Sequence, residues 1–174
     1  MKLNAFIAGI GMTDFGNHLA SPLKHLAGEA ITLALQDAGL TPGDLQAAYM
    51  ANAAGGVVQG QEMISGQVAL RELGIGRIPV VNLENACASS STAFHQAAAM
   101  VSLGVYDVAL VCGFEKLFHE DKRRTFAAFD GAVDTENPAG LSGTLEVLAR
   151  RAGVAVDLEN AGVTRSVFMD IYSL

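Results

Sequence analysis

Residues 78–94 read Ile78-Pro79-Val80-Val81-Asn82-Leu83-Glu84-Asn85-Ala86-Cys87-Ala88-Ser89-Ser90-Ser91-Thr92-Ala93-Phe94. An apolar stretch passes into a hydroxyl-rich one, with a single cysteine at the junction. Ile78 to Val81 predict a short buried strand, and the alanine-rich run from Ala88 to Leu103, closed by Gly104, predicts a buried helix. A thiol at a helix N-terminus meets unpaired backbone N–H groups and the positive end of the helix dipole, and both favour thiolate. Cys87 is therefore the candidate nucleophile. The competing reading is a free cysteine packed as a small hydrophobe. The strand–Cys–helix setting favours chemistry, because open α/β sheets bind ligands at the carboxyl ends of their strands. Cys112 lies inside the apolar run Val108-Ala109-Leu110-Val111-Cys112 and is expected to pack.

Working outward, Leu3–Ile10 is an apolar run that predicts a first strand ending in Gly9-Ile10-Gly11. Ser21-Pro22 offers a helix cap followed by proline at the first helical position. Leu23, Leu26, Ala27, Ala30, Ile31, Ala34 and Leu35 then recur at helical spacing until Gly39. Thr41-Pro42-Gly43-Asp44 predicts a turn or short helical start, Ala47–Asn52 a second strand, and Ala53–Gly60 a glycine-rich loop. A helix is expected over 61–73, a third strand over 78–83, the Cys87 helix, and a fourth strand over 107–113. The order is β-α-β-α-β-α-β with strands apolar on both faces. It predicts an α/β fold with a mostly parallel sheet and helices on both sides, incomplete as it stands.

After Gly113 the composition changes. Residues 114–142 mix charges, aromatics and turn pairs such as Asp130-Gly131 and Asn137-Pro138. A helix is expected over 143–151, and Val167-Phe168-Met169-Asp170-Ile171-Tyr172 reads as an amphipathic helix just starting. The expected organisation is an α/β core over 1–114 and a loop or cap insertion, cut short, over 115–174.

The chain of 174 residues is long enough for a real core, and 51% of its residues are hydrophobic. Two cysteines without paired spacing argue against a disulfide framework and fit a reducing cytoplasm. No stretch approaches the ~20 apolar residues of a membrane span, and the N-terminus lacks a signal-like cleavage region. A formal net charge of −7 argues against general nucleic-acid binding. One basic segment stands apart, Lys122-Arg123-Arg124 with Lys116 nearby. It reads as a solvated loop face or as a contact for an anionic ligand such as a phosphorylated cofactor.

The histidines do not supply a base for Cys87. His95 is eight residues further on in the same predicted helix, roughly 12 Å along its axis. His18 and His25 read as surface residues. His119, Glu120 and Asp121 are adjacent, and three successive side chains rarely converge on one ion. Gly9-x-Gly11 fails as a dinucleotide fingerprint because the third position is Asp14.

With those residues in view, the chain resembles the N-terminal part of a thiolase, in the sterol-carrier/lipid-transfer branch that includes acetyl-CoA acetyltransferase-like proteins. Ile7-Ala8-Gly9-Ile10-Gly11-Met12-Thr13-Asp14-Phe15-Gly16 looks like its first strand and turn. Glu84 to Ser91 looks like the nucleophile segment. Asp107 to Leu117 is similar to the strand and turn closing the first half, and Ser166–Tyr172 to the helix opening the cap. Where the family has glycine soon after the nucleophile, this chain has Ser90. Thiolases are also roughly twice as long, folding from two similar halves.

The resemblance implies an acyltransferase in which Cys87 takes an acyl group from acyl-CoA, for thiolysis of a 3-ketoacyl-CoA or condensation of acetyl-CoA. Coenzyme A is substrate here, with no resident cofactor or metal. The Cys87 N–H would contribute to an oxyanion hole. Asn85, Ser89, Ser90 and Glu115 would give structural support, and Lys122, Arg123 and Arg124 would meet the CoA phosphates. The activating histidine and a second cysteine would come from a second half. Two alternatives remain open. One is a catalytically incomplete interaction component, in a homo-oligomer or complemented by the missing half. The other is a retro-aldolase subunit acting on CoA-linked substrates with an OB-fold partner.

Overall fold

Ala47-Ala48-Tyr49-Met50-Ala51 forms β1 (Ala47–Ala51), a strand buried along its whole length. In the computed structural model, which describes residues 3–133 and Glu136, it is preceded by α1 (Leu23–Ala38). It is followed by α2 (Gly55–Gln59), α3 (Ser65–Arg71), β2 (Val80–Leu83), α4 (Ser89–Ser102), β3 (Ala109–Gly113) and α5 (Lys122–Asp130). Single 3-10 turns cover Pro42–Asp44 and Ala86–Ala88. The chain divides into two compact units, Met1–Ala128 and Phe129–Leu174, and the fold described is that of the first.

The sheet is parallel, in the order β2-β1-β3. Ala48 to Ala51 pair with Val80 to Leu83, and Ala47 to Ala51 with Ala109 to Gly113. Alternation along β1 sorts its side chains between two cores. Ala48 and Met50 pack with Ala27, Ile31 and Leu35 of α1 and with Ala69 and Leu70 of α3. Ala47, Tyr49 and Ala51 pack with Ala93 and Ala97 of α4. A slip of one residue would exchange the two faces, so the helices on both sides fix the register. This is the α/β architecture expected, with helices covering both faces of a parallel sheet.

Local chemistry sets the ends of the elements. Gly39, at φ 66°, takes the left-handed conformation that ends α1, and Leu40 N–H donates back to Leu35 O at 2.9 Å. Thr41 and Asp44 form a reciprocal capping box on the turn that leads into β1. Gly66 lies where α3 meets the sheet. Its N–H donates to Asn82 Oδ1 at 2.8 Å, and a Cβ there would stand 2.5 Å from Met50 Cβ.

Several expected elements differ. Leu3–Ile10 is not a strand: two of its N–H groups go to side chains instead, Asn4 to Ser102 Oγ at 2.8 Å and Ile10 to Asp37 Oδ2 at 2.9 Å. Gly9 and Gly11 let this segment press against the backbone of α1, near Ala34 and Ala30, where any side chain would collide. Helix α1 starts at Leu23, one residue later than expected, with Pro22 at the cap and no capping side chain. The glycine-rich loop over 53–60 contains the short α2, and the following helix starts only at Ser65. Residues 122–130, expected as loop, form α5. The helices expected over 143–151 and at 167–172 lie outside the described residues.

The edge of β3 that pairs with no strand among the described residues faces a largely apolar groove of about 480 Å³. Its walls include Ile7 and Ile10, Ala34 of α1, and Ala97 and Val101 of α4. No helix among the described residues is long and apolar enough to cross a membrane.

The packing at Gly66 gives a direct test. Gly66→Ala should lower the unfolding free energy in urea by about 1–3 kcal/mol, because the added Cβ would overlap Met50 Cβ and Cγ and Asn82 Oδ1. Gly76→Ala, where nothing lies within 4 Å of an added Cβ, should stay within about 0.5 kcal/mol of the starting protein.

Candidate functional site

Because the strands are parallel and Ala51 pairs with both Leu83 and Gly113, the three chains leave the sheet at the same end. Residues 52–55, 84–87 and 114–116 follow directly from these strand ends. This is the end at which open α/β sheets take ligands.

Cys87 is in the 3-10 turn Ala86–Ala88, between β2 and α4, and is exposed to solvent. The turn is built around an unusual backbone. Ala86 has φ 46°, a left-handed conformation that side chains other than glycine rarely take. Ala86 N–H donates to Glu84 Oε1 at 2.6 Å, and Ala88 N–H donates to Asn85 O at 2.9 Å. Ser89 Oγ accepts from Asn85 N–H at 2.8 Å and donates to Ala86 O at 2.7 Å. Asn85 Nδ2 donates to Thr92 Oγ1 at 2.9 Å, and that hydroxyl donates to Ala88 O at 2.9 Å.

The neighbouring strand ends are tied together by Glu115. Its Oε2 accepts from Ala53 N–H at 2.9 Å and from Ala54 N–H at 2.8 Å, and its Oε1 accepts from Asn52 Nδ2 at 3.2 Å. Asn52 Nδ2 also donates to Phe114 O at 2.6 Å, while its Oδ1 accepts from Gly55 N–H at 2.8 Å. Ser90 stands over Gly113, where an added Cβ would collide with the serine hydroxyl. The small side chain at position 90 and the absent one at 113 thus allow α4 to close on the end of β3.

The structure brings Asn85, Ser89 and Ser90 around the Cys87 turn and Glu115 onto the adjoining strand ends. The basic segment belongs to α5, and its partners lie outside the Cys87 turn. Arg123 pairs with Asp121 at 2.8 Å, and its hydrogen bond holds that carboxyl down at about 2. Lys122 Nζ lies 3.5 Å from the centre of the Phe118 ring, and Arg124 donates to Val58 O at 3.4 Å. Lys116 Nζ donates to the carbonyls of Leu19 and Ser21. His95 is exposed on α4. Among the described residues no group of three or more His, Cys, Asp or Glu side chains is placed to hold a metal ion.

Three participants escaped the reading of the sequence. Asn52 had a signal, an asparagine at a strand end before Ala-Ala-Gly-Gly, where its side chain bonds the following backbone. Thr92 is one of several hydroxyls in a row, and nothing distinguishes it locally. Ala86 had no signal at all, since alanine is not a residue type that marks left-handed backbone.

The chain is thus an α/β domain with an open parallel sheet and an exposed thiol between the end of a strand and the start of a helix. The chain belongs to the thiolase family: residues 5–145 match the family model for the thiolase N-terminal domain. It is similar to the benzoylsuccinyl-CoA thiolase subunit BbsB of Thauera aromatica, 34% identical over 157 residues, covering 87% of this chain and 39% of that protein. With an acetyl-CoA acetyltransferase of Methanocaldococcus jannaschii it shares 36% identity over 130 residues, covering 75% and 32% of the two chains. Sterol carrier protein 2 of Gallus gallus is 29% identical over 170 residues, covering 97% and 28%. The fold is also that of a solved 3-oxoacyl-[acyl-carrier-protein] synthase III from Aquifex aeolicus, with a TM-score of 0.50 at 22% identity over 56% of this chain and 30% of that one. The chain thus spans 39% or less of the length of each of these three curated relatives.

The two thiols make the site testable. Cys112 is buried in the core and desolvation pushes its thiol up to about 12, which keeps it protonated at neutral pH. At pH 8 iodoacetamide should modify one thiol of the folded protein, mapping to Cys87. The second should react only in denaturant, as read by mass spectrometry of the digested protein. Equal labelling of both thiols in the folded protein would contradict this assignment.

Proposed function

We propose that this chain is the nucleophile-bearing part of a thiolase-type acyltransferase, with Cys87 forming the acyl-enzyme. The observation that carries the reading is the exposed Cys87 in a braced turn where the strands of a thiolase-family domain end. In the proposed reaction Cys87 Sγ, as thiolate, attacks the carbonyl carbon of an acyl-CoA thioester. The carbonyl electrons move onto oxygen, where the Cys87 N–H stabilises them, and return as the C–S bond to coenzyme A breaks. Coenzyme A thiolate leaves and takes a proton. In condensation the acyl group then passes to an acetyl-CoA carbanion. In thiolysis Cys87 attacks the 3-keto carbon of a 3-ketoacyl-CoA instead, and the bond from that carbon to the acetyl-CoA carbon breaks. The acetyl-CoA carbanion leaves and takes a proton, and the acyl group passes from Cys87 to coenzyme A thiolate.

We assign supporting roles to the remaining residues. Asn85, Ser89 and Ser90 shape the turn, and Glu115 holds the adjoining strand ends in place. Lys122, Arg123 and Arg124 are proposed to meet the phosphates of coenzyme A, an electrostatic contact that salt would weaken. The residue that deprotonates Cys87 is assigned to the second half that the resemblance implies.

A second reading, an assembly component completed by further polypeptide, is favoured by the open edge of β3 and by exposed apolar side chains beside it. Phe94 of α4 is 50% exposed, and Phe6 and Ile7 are exposed as well. Surface of this kind is covered in a finished assembly.

Intact-mass analysis after incubation with acetyl-CoA separates the two. The acyltransferase reading predicts a single acetyl adduct that disappears in Cys87→Ala. An adduct of equal yield in Cys87→Ala would overturn it. A folded chain without adduct that binds a hydrophobic dye at its surface would favour the assembly component.

A further inference from the structure

Ser89 is the one buried polar side chain of the described core, only 5% exposed, and its hydroxyl is used twice. It accepts from Asn85 N–H and donates to Ala86 O, so it spans the left-handed residue from both sides. Glu84 takes the Ala86 N–H from outside the turn. Helical backbone begins at Ser89 itself, and Ala93 and Ala97 of the same helix are buried against the sheet. The clamp is therefore anchored in a helix packed against the sheet.

Without such an anchor, alanine would leave φ 46° for the helical or extended region. Either change would turn the following residue, Cys87, and its N–H away from their present direction. We propose that Ser89 is a positioning residue for Cys87, acting through the backbone of Ala86. It holds the alanine left-handed so that thiol and N–H project together from the strand-to-helix junction. The proposal deepens the acyl-enzyme reading and rests on it for its use. The geometry it describes is tested without any acyl-CoA.

Alkylation of Cys87 by iodoacetamide in the 174-residue chain gives the test, with circular dichroism to check the fold. Ser89→Ala should slow Cys87 alkylation by about tenfold, the scale set by the loss of a buried hydrogen-bonded clamp. Ala86→Gly should restore most of that rate in the double variant, because glycine takes positive φ without a clamp. A merely structural serine would lose the same factor in both backgrounds. Wild-type alkylation in a folded Ser89→Ala, or an equal loss with and without Ala86→Gly, would overturn the proposal. If Ser89→Ala alone does not fold, recovery of fold and reactivity in the double variant supports it, and failure of the double variant contradicts it. A protein that passes these tests but gains no acetyl group from acetyl-CoA would overturn the acyl-enzyme reading and leave the positioning role standing.

Discussion

Parallel pairing of β1 with β2 on one side and β3 on the other is the interaction on which everything else depends. Ala51 pairs with both Leu83 and Gly113, so the last residues of the three strands are level. That alignment brings residues 52–55, 84–87 and 114–116 to one end of the sheet. Glu115 then has the N–H groups of Ala53 and Ala54 within reach, and Ser90 has Gly113 beneath it. The two cores make the alignment rigid, since Met50 and Tyr49, neighbours in sequence, are buried on opposite faces. A shift of β1 by one residue would bury neither correctly.

The Cys87 turn spends some of the stability that the sheet provides. Left-handed backbone at a residue other than glycine costs on the order of 1–3 kcal/mol. Each hydrogen bond that braces it returns about 0.5–1.5 kcal/mol net. Three bonds meet on the backbone around Ala86, two through Ser89 and one through Glu84, enough to offset a cost of that size. The outcome is an exposed cysteine in a braced turn, whereas Cys112 is buried and its thiol is held protonated. The two cysteines thus differ in exposure because one follows a strand and the other lies within one.

How far the sequence revealed this varies along the chain. The β1, β2 and β3 strands and the helices α1 and α4 were legible because their apolar runs are bounded by strong punctuation, such as Gly39 and Gly104. The place of Cys87 after a strand and before a helix was legible for the same reason. Leu3–Ile10 was misread because hydrophobicity alone does not say which partner a segment's N–H groups will find. Here Ser102 and Asp37 took two of them. The bracing of Ala86 was not legible, since it arises from a serine three residues away closing on the backbone. The direction of the basic side chains was equally hidden: Lys122–Arg124 reads as one patch, yet each cation has a separate partner.

We propose that an acyl group is held on the strand-end cysteine. A crystal structure of the protein after incubation with acetyl-CoA would test it most directly. The expected result is electron density for an acetyl thioester continuous with Cys87 Sγ, with Ala86 still left-handed and Ser89 still bonded to its carbonyl. An unmodified Cys87 beside an acetyl group on another residue would contradict it.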